Sequence, residues 1–346
     1  MKSIPVLLMG CGGVGRDLLQ HILTCRSLHA QQGLALRVVG VCDAKSLIAV
    51  SDDDLLIAQL TDPFLKEICR FKASSPSAPL SDLKTFDECV IYTTESAEKV
   101  VEIASNLGRS TGLVVVDCTA SAETIGILTR VVDLDTIPHI QSFTSFALDS
   151  YLVGAGLPVI TSLNRILASG DYVRCMIGSL SGTLGYVMSE VADGKPFSAV
   201  VKEAKSLGYT EPDPRDDLSG MDVARKVESL YPDKMGPGKM SLEDFLGSGL
   251  PLLDEDVEER IKAASLRGNV LRYVCIITDS SCGVGIQEVP KDSALGRSKG
   301  SDNVLEIYSR CYNKLPLVIQ GAGAGNDTTA AGVLADIIDL QDLFSS

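Results

Sequence analysis

Tryptophan is absent from this chain of 346 residues, histidine occurs three times, and the ten cysteines include no C-x-x-C pair. Without a His/Cys cluster at metal-ligand spacing, the sequence argues against a zinc site. No apolar run approaches the roughly 20 residues that a membrane-spanning helix requires. The first predicted strand starts near Ile4, which leaves no room for a signal or transit peptide, so we expect a cytoplasmic protein.

Positive charge is also scarce, because 31 Lys and Arg residues face 45 Asp and Glu residues and leave a net charge of −14. Nucleic acid and anionic membranes would be repelled at long range, so neither is an expected partner. A small anionic ligand is still compatible, since it needs only a local positive site. Hydrophobic residues make up 45% of the chain, and this length predicts two domains with packed cores.

Strand and helix patterns alternate over residues 1–140. Apolar runs predict buried strands at 4–9, 37–42, 89–92 and 112–118, with helical patterns between them. This alternation predicts an α/β domain of Rossmann type with a doubly wound parallel sheet. Residues 141–315 predict a second, α+β domain with a mostly antiparallel sheet, and we expect segment 316–346 to return to the first domain.

A glycine-rich sequence, Gly10-Cys11-Gly12-Gly13-Val14-Gly15, lies between a predicted strand and a predicted helix. Glycines in this G-x-G-x-x-G spacing permit a tight turn and let the backbone approach a pyrophosphate, which the helix N-terminus attracts. The motif therefore predicts a dinucleotide-binding domain over 1–140, with NAD or NADP as cofactor. Its predicted contacts are Gly10, Gly12, Gly13, Val14 and Gly15. The competing interpretation is a strand–helix turn that is merely tight.

Other cofactor contacts are predicted where later strands end. Asp43 ends the second strand, 28 positions after Gly15, and would accept hydrogen bonds from an adenosine ribose, which favours NAD. Lys45 could instead meet the 2′-phosphate of NADP, and the sequence does not decide between them. Thr119 and Ser121 follow another strand, where they could touch the nicotinamide or simply cap a helix.

The segment from Tyr209 to Lys226 is rich in carboxylates and contains two prolines that stiffen it. Asp222 and Lys226 are four residues apart, so they lie on one face of a predicted helix. Such a segment could hold a substrate ammonium group and offer a proton donor. The alternative is a solvated acidic loop with an ordinary salt bridge.

This segment is similar, nearly residue for residue, to the substrate-binding signature of homoserine dehydrogenases. Three other segments resemble the same family: Val153–Pro158, Gly178–Tyr186, and Gly321–Gly325 with Thr328–Ala331. With the glycine motif, the resemblance covers nearly the whole chain. It implies NAD(P)H-dependent reduction of L-aspartate 4-semialdehyde to L-homoserine, a step in threonine, methionine and isoleucine biosynthesis.

The resemblance also implies roles for individual residues. It makes Lys226 the catalytic acid/base and places Gly325 against the cofactor. Its substrate contacts correspond to Glu211, Asp222, Gly182 and Thr183. General-acid help from a lysine is typically worth ~10²–10⁴ in rate.

Two further expectations follow from the family. The backbone carbonyls of Val153, Ala155 and Leu157 match positions that hold a monovalent cation such as sodium. The resemblance also implies a homodimer formed through the second domain, so 141–315 is predicted to serve both substrate binding and dimerisation.

Two family segments have no counterpart in this sequence. Residues Asp133–Leu152 contain no lysine where the family carries an Asn-Lys-Lys motif, and Ser150 replaces a glutamate cation ligand. After Lys226, Pro232 ends a helix that the family continues. Both gaps are clean, which is typical of a splice variant or an imperfect gene model. We therefore expect impaired activity, and the alternative function is a dinucleotide-binding pseudoenzyme or non-catalytic partner subunit.

Overall fold

The structure, a computed structural model, describes residues 1–51, 58–83, 89–93, 97–108, 112–119, 154–207, 209–210 and 250–344. It divides into two compact units, one formed by Met1–Tyr151 with Gly325–Ser346 and the other by Leu152–Ala324. The return to the first unit thus falls at Gly325 rather than at the predicted residue 316. None of the helices in the described ranges has the length and apolar character needed to span a membrane.

The first unit contains a five-stranded sheet in the order β4-β3-β2-β1-β5. Its strands are β1 (Lys2–Met9), β2 (Leu34–Cys42), β3 (Ser46–Val50), β4 (Cys89–Thr93) and β5 (Val114–Asp117). β1 pairs in parallel with both β2 and β5, and six successive residues of β1 are buried. A strand covered on both faces explains why β1 is a continuous apolar run rather than an alternating one.

The sheet is not wholly parallel, which differs from the sequence-based prediction in one element. β3 lies antiparallel to both β2 and β4. The chain turns back after β2 because Asp43 closes a tight turn, in which its N–H donates to Ser46 O at 2.9 Å. Its carboxylate also accepts from the N–H groups of Lys45 and Ser46, each at 3.0 Å. An aspartate side chain that bonds the backbone two or three residues ahead is a recurrent turn former.

The second unit contains an antiparallel sheet in the order β10-β9-β6-β7-β8. Its strands are β6 (Val173–Ser179), β7 (Asn269–Thr278), β8 (Cys282–Pro290), β9 (Asp302–Ser309) and β10 (Leu317–Ala322). All four strand pairs are antiparallel, as the alternating sequence pattern predicted.

Helices accompany both sheets. They are α1 (Gly13–Gln31), α2 (Asp62–Ser74), α3 (Ala97–Gly108), α4 (Val159–Ala168), α5 (Gly182–Ala192), α6 (Phe197–Ser206), α7 (Asp254–Leu266), α8 (Ala294–Arg297) and α9 (Asn326–Asp339). Short 3-10 turns lie at Leu80–Asp82, Leu250–Leu253 and Leu340–Leu343. In the first unit, α1 packs against β2, α2 and α9. The C-terminal helix is therefore part of the glycine-motif unit.

The two faces of the second sheet are covered to different extents. Leu305 and Ile307 of β9 lie in one apolar cluster with Val159 and Ile166 of α4 and Leu184 of α5. The opposite face carries a smaller cluster in which Leu295 of α8 packs. Because helices pack mainly on one side among the described residues, part of the other side exposes apolar side chains.

Candidate functional site: a glycine-rich turn at the sheet edge

The predicted glycine motif forms the turn from β1 into α1. Gly10 has φ +90°, a conformation that favours glycine, and a Cβ added there would lie 2.7 Å from the carbonyl carbon of Cys118. A Cβ at Gly15 would lie 2.0 Å from Gly10 O, so this position must remain glycine for helix and strand to approach. At Gly12, by contrast, an added Cβ meets nothing within 4 Å. The turn therefore leaves no room for a side chain at Gly10 or Gly15, whereas Gly12 faces open space.

Within the part of the chain that the structure describes, no side chain caps the N-terminus of α1. Gly12 occupies the N-cap position without a side-chain hydrogen bond, and no acidic residue lies in the first turn. Backbone N–H groups of the first turn are thus left for an anion, which the helix dipole also favours. Arg16 adds positive charge there, since its Nε donates to Gly12 O at 3.1 Å.

The end of β5 lies beside this turn. Cys118 N donates to Met9 O at 2.7 Å, which joins the carboxyl ends of β5 and β1. Thr119 N donates to a carboxylate oxygen of Asp117 at 2.7 Å, and burial raises the pKa of that carboxyl. The structure therefore brings Thr119 next to Gly10 at the edge of the sheet where open α/β sheets bind ligands. Ser121 lies outside the described residues.

Cys11 lies inside the glycine motif but does not offer a reactive thiolate. Its side chain is buried, and burial raises the pKa of the thiol to about 12. Burial likewise raises the pKa of Cys118 to about 12. Both thiols stay protonated at neutral pH, so they act as small packing groups under the turn.

Asp43 occupies the predicted position at the end of β2, but its oxygens are already engaged. Oδ1 accepts from Lys45 N, Ser46 N and Ser46 Oγ, at 3.0, 3.0 and 3.1 Å. Oδ2 accepts from Lys72 Nζ at 3.0 Å and from Leu80 N at 2.8 Å. A carboxylate has about four lone-pair sites, so these bonds argue against the predicted ribose contact. The neighbouring Lys45 side chain is exposed.

Gly325 and Asn326, at the start of α9, form a second segment beside the glycine turn. Gly325 precedes α9 with φ +128° and is exposed. The Asn326 side chain lies over Gly13, because a Cβ added at Gly13 would be 2.3 Å from Asn326 Nδ2. Sequence analysis selected Gly325 and missed Asn326. The only sequence feature that could have indicated Asn326 is its amide side chain directly after the Gly321–Gly325 run.

In the second unit, Gly182 and Thr183 begin α5. Ser181 caps this helix by accepting from Leu184 N at 3.2 Å. Thr183 Oγ1 donates to Tyr209 O at 2.5 Å, and the Tyr186 and Tyr209 rings lie 5.0 Å apart. These contacts hold the residue at which the acidic signature segment begins. Glu211, Asp222 and Lys226 themselves lie outside the described residues, so the structure does not show how they lie relative to Thr183.

The predicted cation ligands Ala155 and Leu157 lie in a turn that precedes α4. Gly154 has φ +83° and Ala155 has φ +56°, the one positive value for a non-glycine residue among the described residues. Leu157 O accepts from Val159 N at 2.8 Å, which uses one of its two lone pairs. Val153 lies outside the described residues. Gly154 adopts this conformation at little cost, whereas the Cβ of Ala155 makes it costly there, and such strain is often found at ligand sites.

These features define a protein of Rossmann type, in which a glycine-rich turn and an uncapped helix meet at the carboxyl edge of a sheet. The sequence profile of homoserine dehydrogenase matches residues 158–338. Homoserine dehydrogenase of Saccharomyces cerevisiae is 38% identical over 384 aligned positions, which cover 98% of this chain and 98% of that protein. The chain therefore belongs to the homoserine dehydrogenase family.

Some relatives are longer. The bifunctional aspartokinase/homoserine dehydrogenase of Haemophilus influenzae is 30% identical across 97% of this chain, which spans only 43% of that enzyme. A partial match to the homoserine dehydrogenase of Paracoccidioides brasiliensis covers 58% of this chain and 61% of that protein, at 40% identity.

Solved structures show the same fold. A Candida auris protein of unknown function superposes with a TM-score of 0.77 at 28% identity, and 100% of each chain is covered. A hyperthermophilic archaeal homoserine dehydrogenase in complex with NADPH gives a TM-score of 0.68 at 20% identity and covers 99% of each chain.

Proposed function

We propose that this protein is an NAD(P)H-dependent homoserine dehydrogenase that reduces L-aspartate 4-semialdehyde to L-homoserine, in threonine, methionine and isoleucine biosynthesis. The observation that carries the proposal is the glycine turn, open at Gly12 and followed by an uncapped α1, in a chain of this family. The turn fits a dinucleotide pyrophosphate, because a side chain at Gly12 would fill the space that the phosphates need.

In the proposed reaction, the aldehyde carbon gains a hydride and its oxygen gains a proton, so the aldehyde becomes a primary alcohol. A bound reduced nicotinamide supplies the hydride. Lys226 donates the proton, and Glu211 and Asp222 bind the substrate ammonium group. Thr183 and Tyr186 support this arrangement by holding Tyr209, two residues before Glu211. Gly10, Gly12, Gly13, Val14, Gly15, Thr119 and Gly325 hold the cofactor.

The activity of this chain is proposed to be lower than that of a complete family member. The alignment with the yeast relative spans 384 positions, more than the 346 residues of this chain, which supports the proposal that family segments are missing here. Asp133–Leu152 contains no lysine to stabilise negative charge at the reacting oxygen. These observations also favour a second candidate function, a dinucleotide-binding protein without catalysis that partners a complete subunit.

A single assay separates the two candidates. The purified protein is mixed with aspartate 4-semialdehyde and NADH or NADPH, and loss of reduced nicotinamide is followed while homoserine is detected by mass spectrometry. Homoserine formation supports the dehydrogenase. Cofactor binding with no homoserine supports the non-catalytic role, and absence of both, in a folded sample, contradicts the two proposals together.

A homodimer through the second unit is proposed as well. Val318, Glu306, Ile177, Ile276 and Gly283 are cross-strand partners in one row on the sheet face opposite α4 and α5. Val318 is 40% exposed, and a Cβ at Gly283 would meet nothing within 4 Å. Apart from the buried Glu306, this row carries no charged residue, and a sparsely covered face of this kind supports pairing with a second copy of itself.

A monovalent cation is proposed at the turn before α4. Backbone carbonyl oxygens are ligands that hard cations accept. The positive φ angles at Gly154 and Ala155 support a turn whose carbonyls of Val153, Ala155 and Leu157 could converge on one ion. Sodium is the proposed ion.

A further inference from the structure

Asn326 is the first residue of α9, and its carboxamide packs on the first residue of α1. A Cβ built on Gly13 would lie 2.3 Å from Asn326 Nδ2, 2.6 Å from its Cγ and 2.8 Å from its Oδ1. The amide group therefore occupies the space above the Gly13 Cα. No hydrogen bond within the described part of the chain uses this amide.

A second contact between α1 and α9 lies nearby. Asp327 Oδ1 lies 3.0 Å from His21 Nε2, which belongs to the third turn of α1. The position of Asn326 over Gly13 is thus supported by packing along both helices rather than by one flexible side chain.

The surroundings of the amide are those of the cofactor turn. Gly12 is open on the side where an added Cβ meets nothing, and among the described residues no side chain caps the first turn of α1. The exposed N–H₂ group at this place can donate a hydrogen bond to an anion that binds at the turn. A carboxylate of the same shape would repel that anion.

We infer that Asn326 is a cofactor-contacting residue, whose side-chain amide donates a hydrogen bond to a pyrophosphate oxygen of the dinucleotide while it packs on Gly13. This inference rests on the proposed dinucleotide function. It makes α9 a part of the binding site through its first side chain, in addition to the predicted contact at Gly325. The amide and Gly13 act together, because any side chain at residue 13 would displace the amide.

The test is equilibrium binding of NADPH, followed by the change in nicotinamide fluorescence. Asn326→Ala removes the donor and should raise Kd about tenfold, because a hydrogen bond to a charged phosphate oxygen is lost. Asn326→Asp keeps the shape but adds a charge beside the phosphates, so Kd should rise about 100-fold. Gln32→Glu is the matched control, because it adds the same charge at the other end of α1 and should leave Kd unchanged.

A variant pair separates contact from packing. Gly13→Ala should raise Kd because its methyl group displaces the amide, and adding Asn326→Ala to it should raise Kd little further. Equal NADPH affinity in wild type, Asn326→Ala and Asn326→Asp would overturn the inference, while a loss of affinity in Gly12→Ala would leave the dinucleotide site standing. Failure of the folded wild type to bind NADPH or NADH would overturn the proposed function itself.

Discussion

The ammonium of Lys72 donates a hydrogen bond to Oδ2 of Asp43 at 3.0 Å, and the two side chains are 7% and 9% exposed. Lys72 also donates to Ala78 O at 2.8 Å. The pair therefore ties the end of β2 to α2 and to the chain that follows it. The acidic residue that was predicted to contact the cofactor thus holds a turn and a helix in place.

We expect Asp43→Asn to destabilise the protein by roughly 3–5 kcal/mol, because it leaves the buried Lys72 ammonium without its counter-charge. The new amide N–H₂ would also face an N–H donor. Denaturant unfolding measures the change, and Asp82→Asn, at an exposed carboxylate two residues after Leu80, is the control. Similar unfolding midpoints for the two variants would contradict this role.

The same carboxylate should contribute to acid unfolding. Burial alone would raise the pKa of Asp43, but hydrogen bonds from the Lys72 ammonium and from backbone N–H groups outweigh burial and hold that pKa below its ordinary value of 3.8. A depressed folded-state pKa stabilises the fold above the unfolded-state pKa, and this stability is lost as the pH falls below about 4. Asp43→Asn should lack this component, so its stability should depend less on pH in that range.

Gly12→Ala should weaken cofactor binding without weakening the fold. Its φ of −77° is open to alanine, and an added Cβ meets no protein atom within 4 Å. The methyl group would instead occupy the space proposed for the pyrophosphate, so we expect Kd for NAD(P)H to rise at least about tenfold. Gly15→Ala is the contrasting variant, since its Cβ would clash with Gly10 O and should lower the melting temperature. Unchanged affinity in Gly12→Ala would place the phosphates elsewhere.

Lys226→Ala should lower kcat by about 10² or more while NADPH affinity stays nearly the same, if Lys226 is the proton donor. Steady-state rates with aspartate 4-semialdehyde and a separate cofactor titration measure the two effects. Lys202→Ala, at an exposed lysine of α6, is the control. Turnover equal to that of wild type would remove Lys226 from the mechanism.

Val318→Asp should shift the protein from dimer to monomer, because it places a second carboxylate opposite Glu306 in this row of the second sheet. Sedimentation velocity at matched concentrations measures the shift. Leu266→Asp alters a side chain that is 90% exposed at the end of α7 and should leave the assembly unchanged. A wild-type protein that sediments as a monomer at all concentrations would contradict the proposed dimer.

The sequence alone was enough to predict the glycine turn, the strand before it, the helix after it and the antiparallel second sheet. These features depend on local patterns: glycine spacing limits which turns the backbone can form, and continuous or alternating apolar residues report how a strand is buried. The family signature at Tyr209–Lys226 could be recognised for a similar reason, since its residues are close together in the chain. Its catalytic geometry stays a prediction, because Glu211, Asp222 and Lys226 lie outside the described residues.

Only the tertiary structure determined the contacts between residues that are far apart in the chain. Asp43 fits the sequence pattern of a ribose ligand. Only the structure shows that its carboxylate already accepts hydrogen bonds from Lys72 and Leu80. Asn326 has no counterpart in the glycine motif, yet the return of α9 to the first unit lays its amide on Gly13. A sequence pattern shows which hydrogen bonds a side chain can make, whereas chain packing determines which partners come within reach of it.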